Sequence, residues 1–146
     1  MAAESTATTA WQGDLAHGSG TTTSGSGALP EVEVTWASRT ARAAGKTSPE
    51  ELLAMAHASC YCMALSHELG EAGTPPDRLE ATATVSFVPG EGVKSSHIVV
   101  KGSVPGIDQA QFEQAASAAG QGCPISGALK GNVDIQVQAT LEGGTS

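Results

Sequence analysis

The chain has 146 residues, of which 40% are hydrophobic and 15% are charged, which is typical of a globular protein rather than of a disordered one. Seven Lys and Arg residues against fifteen Asp and Glu residues give a net charge of −8. Because phosphate groups would be repelled, this charge argues against binding to nucleic acid or to an anionic membrane surface. Aromatic residues make up only 3% of the chain, so we expect an aliphatic, alanine-rich core.

The chain ends and the cysteine count bear on organisation and location. We predict a single domain over residues 1–146, with frayed tails at about residues 1–6 and 143–146, which are small and polar. The N-terminus has no apolar run, so no secretory signal is expected. The uncharged stretch at residues 52–67 is shorter than the roughly 20 residues of a membrane span. Three cysteines, an odd number, do not make a disulfide framework, so we expect a reducing, cytoplasmic location.

The first forty residues are predicted to form strands. Residues 8–15 have a strand-like pattern with Trp11 as the apolar anchor. The Gly, Ser and Thr residues at 18–27 indicate a hairpin turn followed by a short, flat strand. Residues 31–39 alternate apolar and polar side chains, which predicts a half-buried strand; its apolar face would carry Val32, Val34 and Trp36.

The clearest helix start in the chain lies at Pro49. Ser48 is suited to cap the helix, Pro49 suits its first position, and Glu51 completes a capping box. We predict a helix from Pro49 to about residue 69, ended by the glycines that follow. Because its sequence is apolar on nearly every side, we expect burial on most of its circumference, by a sheet or by a partner subunit.

The second half predicts a hairpin, two helices and a last strand. Residues 81–88 and 95–104 read as strands joined by a turn at 89–92. Asp108 and Gln111 form a second capping box, which opens a helix to about residue 119. The order of strands and helices favours an α+β fold with largely antiparallel sheets around a long central helix.

Three further signals complete this half of the chain. Gly120 and Gly122 are expected to break the helix that begins after Asp108. Cys123 at the cap and Pro124 at the first position predict a short helix directly afterwards. Residues 132–141 alternate and predict the last strand.

The cysteines are the candidate reactive groups. Cys60 lies in the middle of the long apolar helix, where a small core residue is the plainest interpretation, but Glu50 near the start of that helix would need a cationic partner if buried. Cys123 lies at a helix N-terminus, where the dipole favours a thiolate. Cys62 is about 200° around the helix from Cys60, so the two cannot face one site, and we interpret Cys62 as a core residue.

Other chemistries find weaker support. His57 and Cys60 have the i, i+3 spacing of two metal ligands, but no second pair completes a tetrahedral site. We therefore expect no metal and interpret His57 as a histidine that is hydrogen-bonded in the core or at its edge. The sequence also contains no GxSxG nucleophile elbow.

At this point the sequence resembles a known family. Residues 47–66 (TSPEELLAMAHASCYCMALS) and 123–126 (CPIS) are similar to the two cysteine motifs of the OsmC/Ohr family of hydroperoxide peroxidases. Residues 10–20 (AWQGDLAHGSG) and 105–108 (PGID) resemble the OsmC branch more than the Ohr branch. The similarity spans about residues 10–141. It implies an intertwined α+β homodimer with two long central helices inside.

The resemblance also implies roles for individual residues. Cys60 matches the peroxidatic cysteine and Cys123 the resolving cysteine. Glu50 matches the active-site glutamate. Arg39 is our choice for the active-site arginine, with Arg42 as the rival. At Cys62, relatives more often have a small polar residue, which leaves open an off-pathway disulfide or a second oxidisable thiol.

The implied function is reduction of organic hydroperoxides to alcohols in oxidative and osmotic stress defence. It proceeds through a Cys60 sulfenic acid and a Cys60–Cys123 disulfide, which an external dithiol of lipoyl type reduces. The implied partners are thus a second copy, an organic hydroperoxide and a reductant, with no bound cofactor. Two alternatives stay open: a small-ligand-binding or redox-sensing protein on the same fold, and a stress-induced interaction protein with an incidental cysteine pair.

Overall fold

The computed structural model describes residues 2–42 and 44–142, so the predicted tail at residues 143–146 lies outside the described residues. The elements in chain order are β1 (Ala7–Gln12), β2 (Ser19–Ser24), β3 (Val32–Val34), α1 (Trp36–Ala41), α2 (Pro49–Glu71), β4 (Arg78–Val88), β5 (Gly92–Ser103), α3 (Gln109–Gly122), α4 (Pro124–Leu129) and β6 (Asp134–Leu141). This mixture confirms the predicted α+β class. Among the described helices, none has the length and apolarity that crossing a bilayer requires.

The chain divides into two compact units, residues 1–52 and 53–146, and the division falls inside α2. The prediction of a single domain stays a prediction. In the first unit, β1, β2 and β3 form an antiparallel sheet in that order. Trp11 lies over Gly20 on the neighbouring strand, where a Cβ atom would approach the indole to 2.8 Å. The predicted turn and short strand between residues 18 and 27 correspond to β2.

The predicted strand over residues 31–39 is wrong beyond Val34. Thr35 caps α1, and its hydroxyl accepts a hydrogen bond from the Ser38 amide while the Ser38 hydroxyl accepts one from the Thr35 amide. This reciprocal capping box outweighs the alternation that placed Trp36 in a strand. The buried Ser38 hydroxyl is also within 2.8 Å of the Thr47 carbonyl oxygen, to which it can donate.

The predicted long helix is confirmed as α2, which extends to Glu71. The Ser48 hydroxyl accepts from the Glu51 amide at 3.0 Å. The Glu51 carboxylate accepts from the Thr47 hydroxyl at 2.6 Å. Both contacts hold the first turn of the helix.

Burial of α2 is one-sided within this chain, so its expected burial on most of its circumference, by a sheet or by a partner subunit, stays a prediction. A stripe at every fourth position is buried, comprising His57, Tyr61, Leu65 and Leu69. The side chains of Met55 and Met63 are 48% and 73% exposed, and Ser59 between them is also exposed. The apolar character of the exposed stripe is therefore not explained by the core of one chain.

The second unit has a three-stranded sheet in the order β4, β5, β6. The pair β4–β5 is antiparallel and confirms the predicted hairpin, whereas β5–β6 is parallel. The buried core combines residues of α2, of β5 and the residue that follows it, of α3, and of the turn before α4: Tyr61, Leu65, Leu69, Ile98, Val100, Val104, Phe112, Ala119 and Cys123. The last predicted strand is β6, and the predicted short helix after Cys123 is α4.

The predicted break at Gly120 is wrong, because α3 continues through that residue, but the helix does end at Gly122, the second predicted break. A glycine inside a helix costs only about 1 kcal/mol relative to alanine. The helix buries Phe112, Ala116 and Ala119 along one face, and this burial outweighs the cost. The Cys123 amide donates to the Ala119 carbonyl at 2.9 Å and ends the helix.

A close approach in the core gives a test of this packing. A Cβ atom at the buried Gly102 would lie 2.5 Å from the ring of Phe112 and 3.0 Å from Leu79. We predict that Gly102→Ala lowers the free energy of unfolding by about 1–3 kcal/mol, because the ring cannot move away freely. Urea denaturation measures this change. Gly70→Ala, in open space on α2, is the control and should be neutral or stabilising by about 1 kcal/mol or less; equal effects of the two variants would contradict the packing.

Candidate functional site

The first polar pair of interest joins α1 to the start of α2. Arg39, in the last turn of α1, donates from Nε to Glu50 Oε1 at 3.0 Å and from Nη2 to Glu50 Oε2 at 2.7 Å. Glu50 is only 6% exposed. A buried carboxylate needs a cationic or hydrogen-bonding partner, and the planar guanidinium supplies two parallel bonds. The structure therefore brings together the predicted arginine and glutamate.

Arg42, the rival arginine, has different partners. It donates to the Ser38 carbonyl oxygen and lies 3.6 Å from the Glu51 carboxylate. About half of each of the two side chains of that ion pair is exposed to solvent. A solvent-exposed pair of this kind contributes little to stability, and Arg42 does not share the buried carboxylate that Arg39 holds.

The second pair is the two predicted reactive cysteines. Cys60, in the middle of α2, and Cys123, which caps α4, lie 63 residues apart in sequence, and their sulfur atoms are 3.2 Å apart. Both are free thiols. Cys60 is partly exposed, whereas Cys123 is only 1% exposed. An external molecule can thus reach the sulfur of Cys60 more readily than that of Cys123.

The surroundings shift the pKa values of the two thiols in opposite directions. Burial raises the pKa of Cys60, and its contact with Cys123 adds to the rise. Burial also opposes ionisation at Cys123, but its pKa is lowered, because the Ser126 amide, the Cys60 thiol, the Ser126 hydroxyl and the Ile125 amide stabilise the thiolate. The Cys123 side chain makes no capping hydrogen bond to α4. When the pair loses one proton, the negative charge therefore favours Cys123, and the Cys60 thiol donates to that thiolate.

Cys62 has separate surroundings from this pair. Burial raises the pKa of its thiol, which the backbone amide of Ala81 on β4 partly offsets. Cys62 is partly buried and is not among the residues of the buried core cluster or those packed against it, so its interpretation as a core residue stays a prediction.

A third cluster involves His57, which the sequence identified only as a core histidine. His57 is fully buried on α2. Its Nδ1 lies 2.6 Å from the Ser96 hydroxyl on β5, and its Nε2 lies 2.7 Å from the Ser126 hydroxyl on α4. Both serines are buried too. Burial lowers the pKa of the imidazole, which keeps the ring neutral at neutral pH.

The cluster was only partly visible in the sequence. Ser126 lies in the CPIS motif, but nothing local marks Ser96, which is 39 residues from His57. Since both ring nitrogens already have hydrogen-bond partners, His57 is not free to ligate a metal. Within residues 2–42 and 44–142, no group of three or more His, Cys, Asp or Glu side chains is placed to hold a metal ion.

The arrangement of the thiols allows a specific chemistry. Two free sulfurs within hydrogen-bonding distance can be oxidised to a disulfide with a small movement, and one of them is accessible. A partly exposed thiol with a buried second thiol behind it is the arrangement that thiol–disulfide redox chemistry needs.

Comparison with known families and curated proteins gives a consistent result. The family model described as OsmC-like protein matches residues 42–138. Peroxiredoxin OsmC of Escherichia coli (strain K12) is 39% identical over 131 residues, which cover 88% of this chain and 91% of that protein. An organic hydroperoxide resistance protein of Xanthomonas axonopodis pv. citri is 30% identical over 95 residues, 61% of this chain and 63% of that protein.

Solved structures share the fold. The organic hydroperoxide resistance protein OhrB of Bacillus subtilis superposes with a TM-score of 0.69 at 28% identity, covering 92% of this chain and 98% of that one. An organic hydroperoxide resistance protein from Elizabethkingia anophelis gives a TM-score of 0.74 at 23% identity, covering 97% of this chain and all of that one (100%). These likenesses confirm that the α+β fold is of the OsmC/Ohr type.

Proposed function

This chain belongs to the OsmC-like protein family, and we propose that it is a two-cysteine peroxidase that reduces organic hydroperoxides to alcohols. The observation that carries the proposal is the 3.2 Å approach of the Cys60 and Cys123 sulfurs, one accessible and one buried. The curated relatives include proteins named peroxiredoxin and organic hydroperoxide resistance protein, and these names support peroxidase-type activity with a role in stress defence.

The first step is attack on the peroxide by Cys60. Because the two thiols are in contact, they lose their protons as a coupled pair rather than independently. Once the pair has lost its first proton to solvent, the Cys123 thiolate takes up the proton of Cys60 along the 3.2 Å contact. The Cys60 thiolate then attacks the terminal peroxide oxygen: an S–O bond forms, the O–O bond breaks, and the alkoxide leaves as the alcohol after taking up a proton.

The second step is formation of the disulfide. The Cys123 sulfur, having lost its proton, attacks the sulfur of the Cys60 sulfenic acid; the S–S bond forms, the S–O bond breaks, and water leaves. The disulfide protects Cys60 from further oxidation. Two electrons from an external dithiol, which we propose to be of lipoyl type, then restore both thiols. No bound cofactor takes part in this scheme.

The proposal assigns Arg39 and Glu50 the roles that the family resemblance implies. Arg39 stabilises the negative charge that develops on sulfur and on the peroxide oxygens. Glu50 fixes the orientation of the guanidinium through the bidentate contact at 2.7 and 3.0 Å. Because an arginine held by a buried carboxylate has a defined orientation, Arg39 suits this role better than the exposed Arg42.

We also propose that the protein is a homodimer in which a second copy covers α2. The exposed stripe of α2 carries the apolar side chains of Met55 and Met63. Exposed apolar side chains at regular helical spacing are typical of an interface. A two-fold dimer would place this stripe against the same stripe of the partner. An apolar pocket between central helices would favour organic hydroperoxides over hydrogen peroxide.

The proposed activity has a direct test. We predict that the wild-type protein consumes cumene hydroperoxide in the presence of dihydrolipoamide, and that Cys60→Ser lowers the rate to background because no sulfenic acid can form. Cys62→Ser is the matched control, two residues away on the opposite side of the same helix, and should retain at least about half of the activity. Peroxide consumption followed spectroscopically measures the rates. Ligand retention without turnover by the wild type would favour the binding or sensing alternative.

The choice of arginine is tested separately. We predict that Arg39→Ala lowers kcat/KM about 100-fold, the order of loss found when one stabilising donor is removed, whereas Arg42→Ala changes it less than about threefold. Since Arg39→Ala leaves a buried carboxylate unpaired, Arg39→Lys is the second variant. It keeps the charge, loses the two parallel bonds, and should also lose activity. The reverse ranking of Arg39 and Arg42 would overturn the assignment.

The proposed dimer predicts a change in association state. Met63→Glu puts a charge on the exposed stripe of α2, so we expect sedimentation to shift from dimer toward monomer. Val99→Glu places the same charge at an exposed apolar position on β5 and should leave the dimer intact. A monomeric wild type, or equal effects of the two variants, would contradict this interface.

A further inference from the structure

His57 is a buried titratable residue that the proposed reaction does not use. Its two ring nitrogens contact serines from two other elements, Ser96 on β5 and Ser126 on α4, at 2.6 and 2.7 Å. None of the buried polar side-chain atoms of the described residues lacks a hydrogen-bond partner, so the cluster is fully satisfied. Ser126 is the third residue of α4, the helix whose N-cap residue is Cys123.

We propose that His57 is a positioning residue: its ring accepts from Ser96 and donates to Ser126, so that the Ser126 hydroxyl is free to donate to the Cys123 sulfur. This inference rests on the proposed peroxidase function, because it concerns the cysteine that resolves the sulfenic acid. It extends that function by adding a three-residue hydrogen-bond chain behind the thiol pair.

The direction of the chain follows from counting hydrogens. A neutral imidazole has one N–H donor and one acceptor nitrogen, and a hydroxyl has one hydrogen. If Nε2 accepted from Ser126, the only hydrogen of that hydroxyl would be used and Cys123 would lose its donor. If Nε2 carries the hydrogen, Ser126 keeps its hydrogen for the sulfur, and Ser96 donates to Nδ1. The second tautomer is the one that satisfies all three side chains and also the thiolate.

The surroundings of the histidine support this direction. Full burial keeps the imidazole neutral, so the ring does not become a double donor near neutral pH. The Ser126 hydroxyl is among the groups that lower the pKa of Cys123. Cys60, 3.2 Å away, is the sulfur that the resulting thiolate attacks in the resolving step.

The consequence concerns the resolving step. A Cys123 thiolate attacks the sulfur of the Cys60 sulfenic acid, the S–S bond forms, and the S–O bond breaks; the hydroxide that leaves takes a proton from solvent and becomes water. Without the hydrogen bond from Ser126, a smaller fraction of Cys123 is ionised at neutral pH. The Cys60 sulfenic acid then lasts longer and can react with a second peroxide molecule. Oxidation of Cys60 to sulfinic acid then competes with disulfide formation.

The decisive experiment titrates Cys123 as the only thiol. In the background Cys60→Ser with Cys62→Ser, thiolate absorbance is followed against pH. At pH values below the pKa of Cys123, we expect Ser126→Ala and His57→Leu each to lower the ionised fraction of this thiol about tenfold. Loss of one hydrogen bond to a charged group implies a change of this size. At high pH the difference vanishes, since every variant is then ionised.

Two matched variants separate positioning from general destabilisation. His57→Gln keeps an N–H donor near the Nε2 position and should restore the titration to within about twofold of the background. Tyr61→Phe removes a buried hydrogen bond on the same helix, from the phenol to the Ala116 carbonyl at 2.7 Å, which is as short as the contact of His57 with Ser126. This variant should leave the titration of Cys123 unchanged. The inference is overturned if Ser126→Ala leaves the titration unchanged, or if His57→Gln behaves like His57→Leu.

A second readout uses the full chain with its three cysteines. With excess cumene hydroperoxide, we expect Ser126→Ala to accumulate more Cys60 sulfinic acid than the wild type, measured by peptide mass spectrometry. Equal accumulation would count against the role in resolution. If the wild type does not react with the peroxide, the peroxidase proposal fails, whereas the single-thiol titration still decides whether His57 orients Ser126.

Discussion

The thiol pair depends on one constraint: two sulfur atoms from residues 63 apart must come within 3.2 Å inside a closely packed core. Cys60 lies on α2, and Cys123 lies between the end of α3 and the start of α4. Two buried side chains of α2 hold these elements together: Tyr61 through the Ala116 carbonyl on α3, and His57 through serines on β5 and α4. Breaking such a bond leaves a buried polar group unpaired at a cost of about 1–3 kcal/mol, so the contact between the sulfurs is supported from two sides.

The two polar pairs solve the problem of buried charge in different ways. Glu50 is a nearly buried carboxylate, and two parallel bonds from Arg39 compensate for its lost hydration. At Cys123 the thiolate is instead supported by neutral donors, which are backbone amides and the Ser126 hydroxyl. In a chain with a net charge of −8, fixed positive charge is scarce, and neutral donors stabilise a thiolate without it.

The elements that the sequence predicted well have short-range signals. Pro49 and Ser48 mark the start of α2, and Pro124 marks α4, because caps act over three or four residues. The strand assigned through Trp36 was wrong because two local signals competed, and the Thr35 cap prevailed over the alternation. The contacts of the site were not predictable in this way. His57 meets partners 39 and 69 residues away, and the pairing of Cys60 with Cys123 followed from family resemblance alone, since no local pattern links them.

The most direct test of the account is a single turnover without added reductant. Fully reduced protein is mixed with one equivalent of cumene hydroperoxide, and its intact mass and free thiols are measured. The account predicts that two of the three thiols disappear, that the protein loses two hydrogens and retains no oxygen, and that Cys62 is still available to alkylation. A lasting gain of one oxygen in the wild type, or a disulfide that includes Cys62, would contradict it.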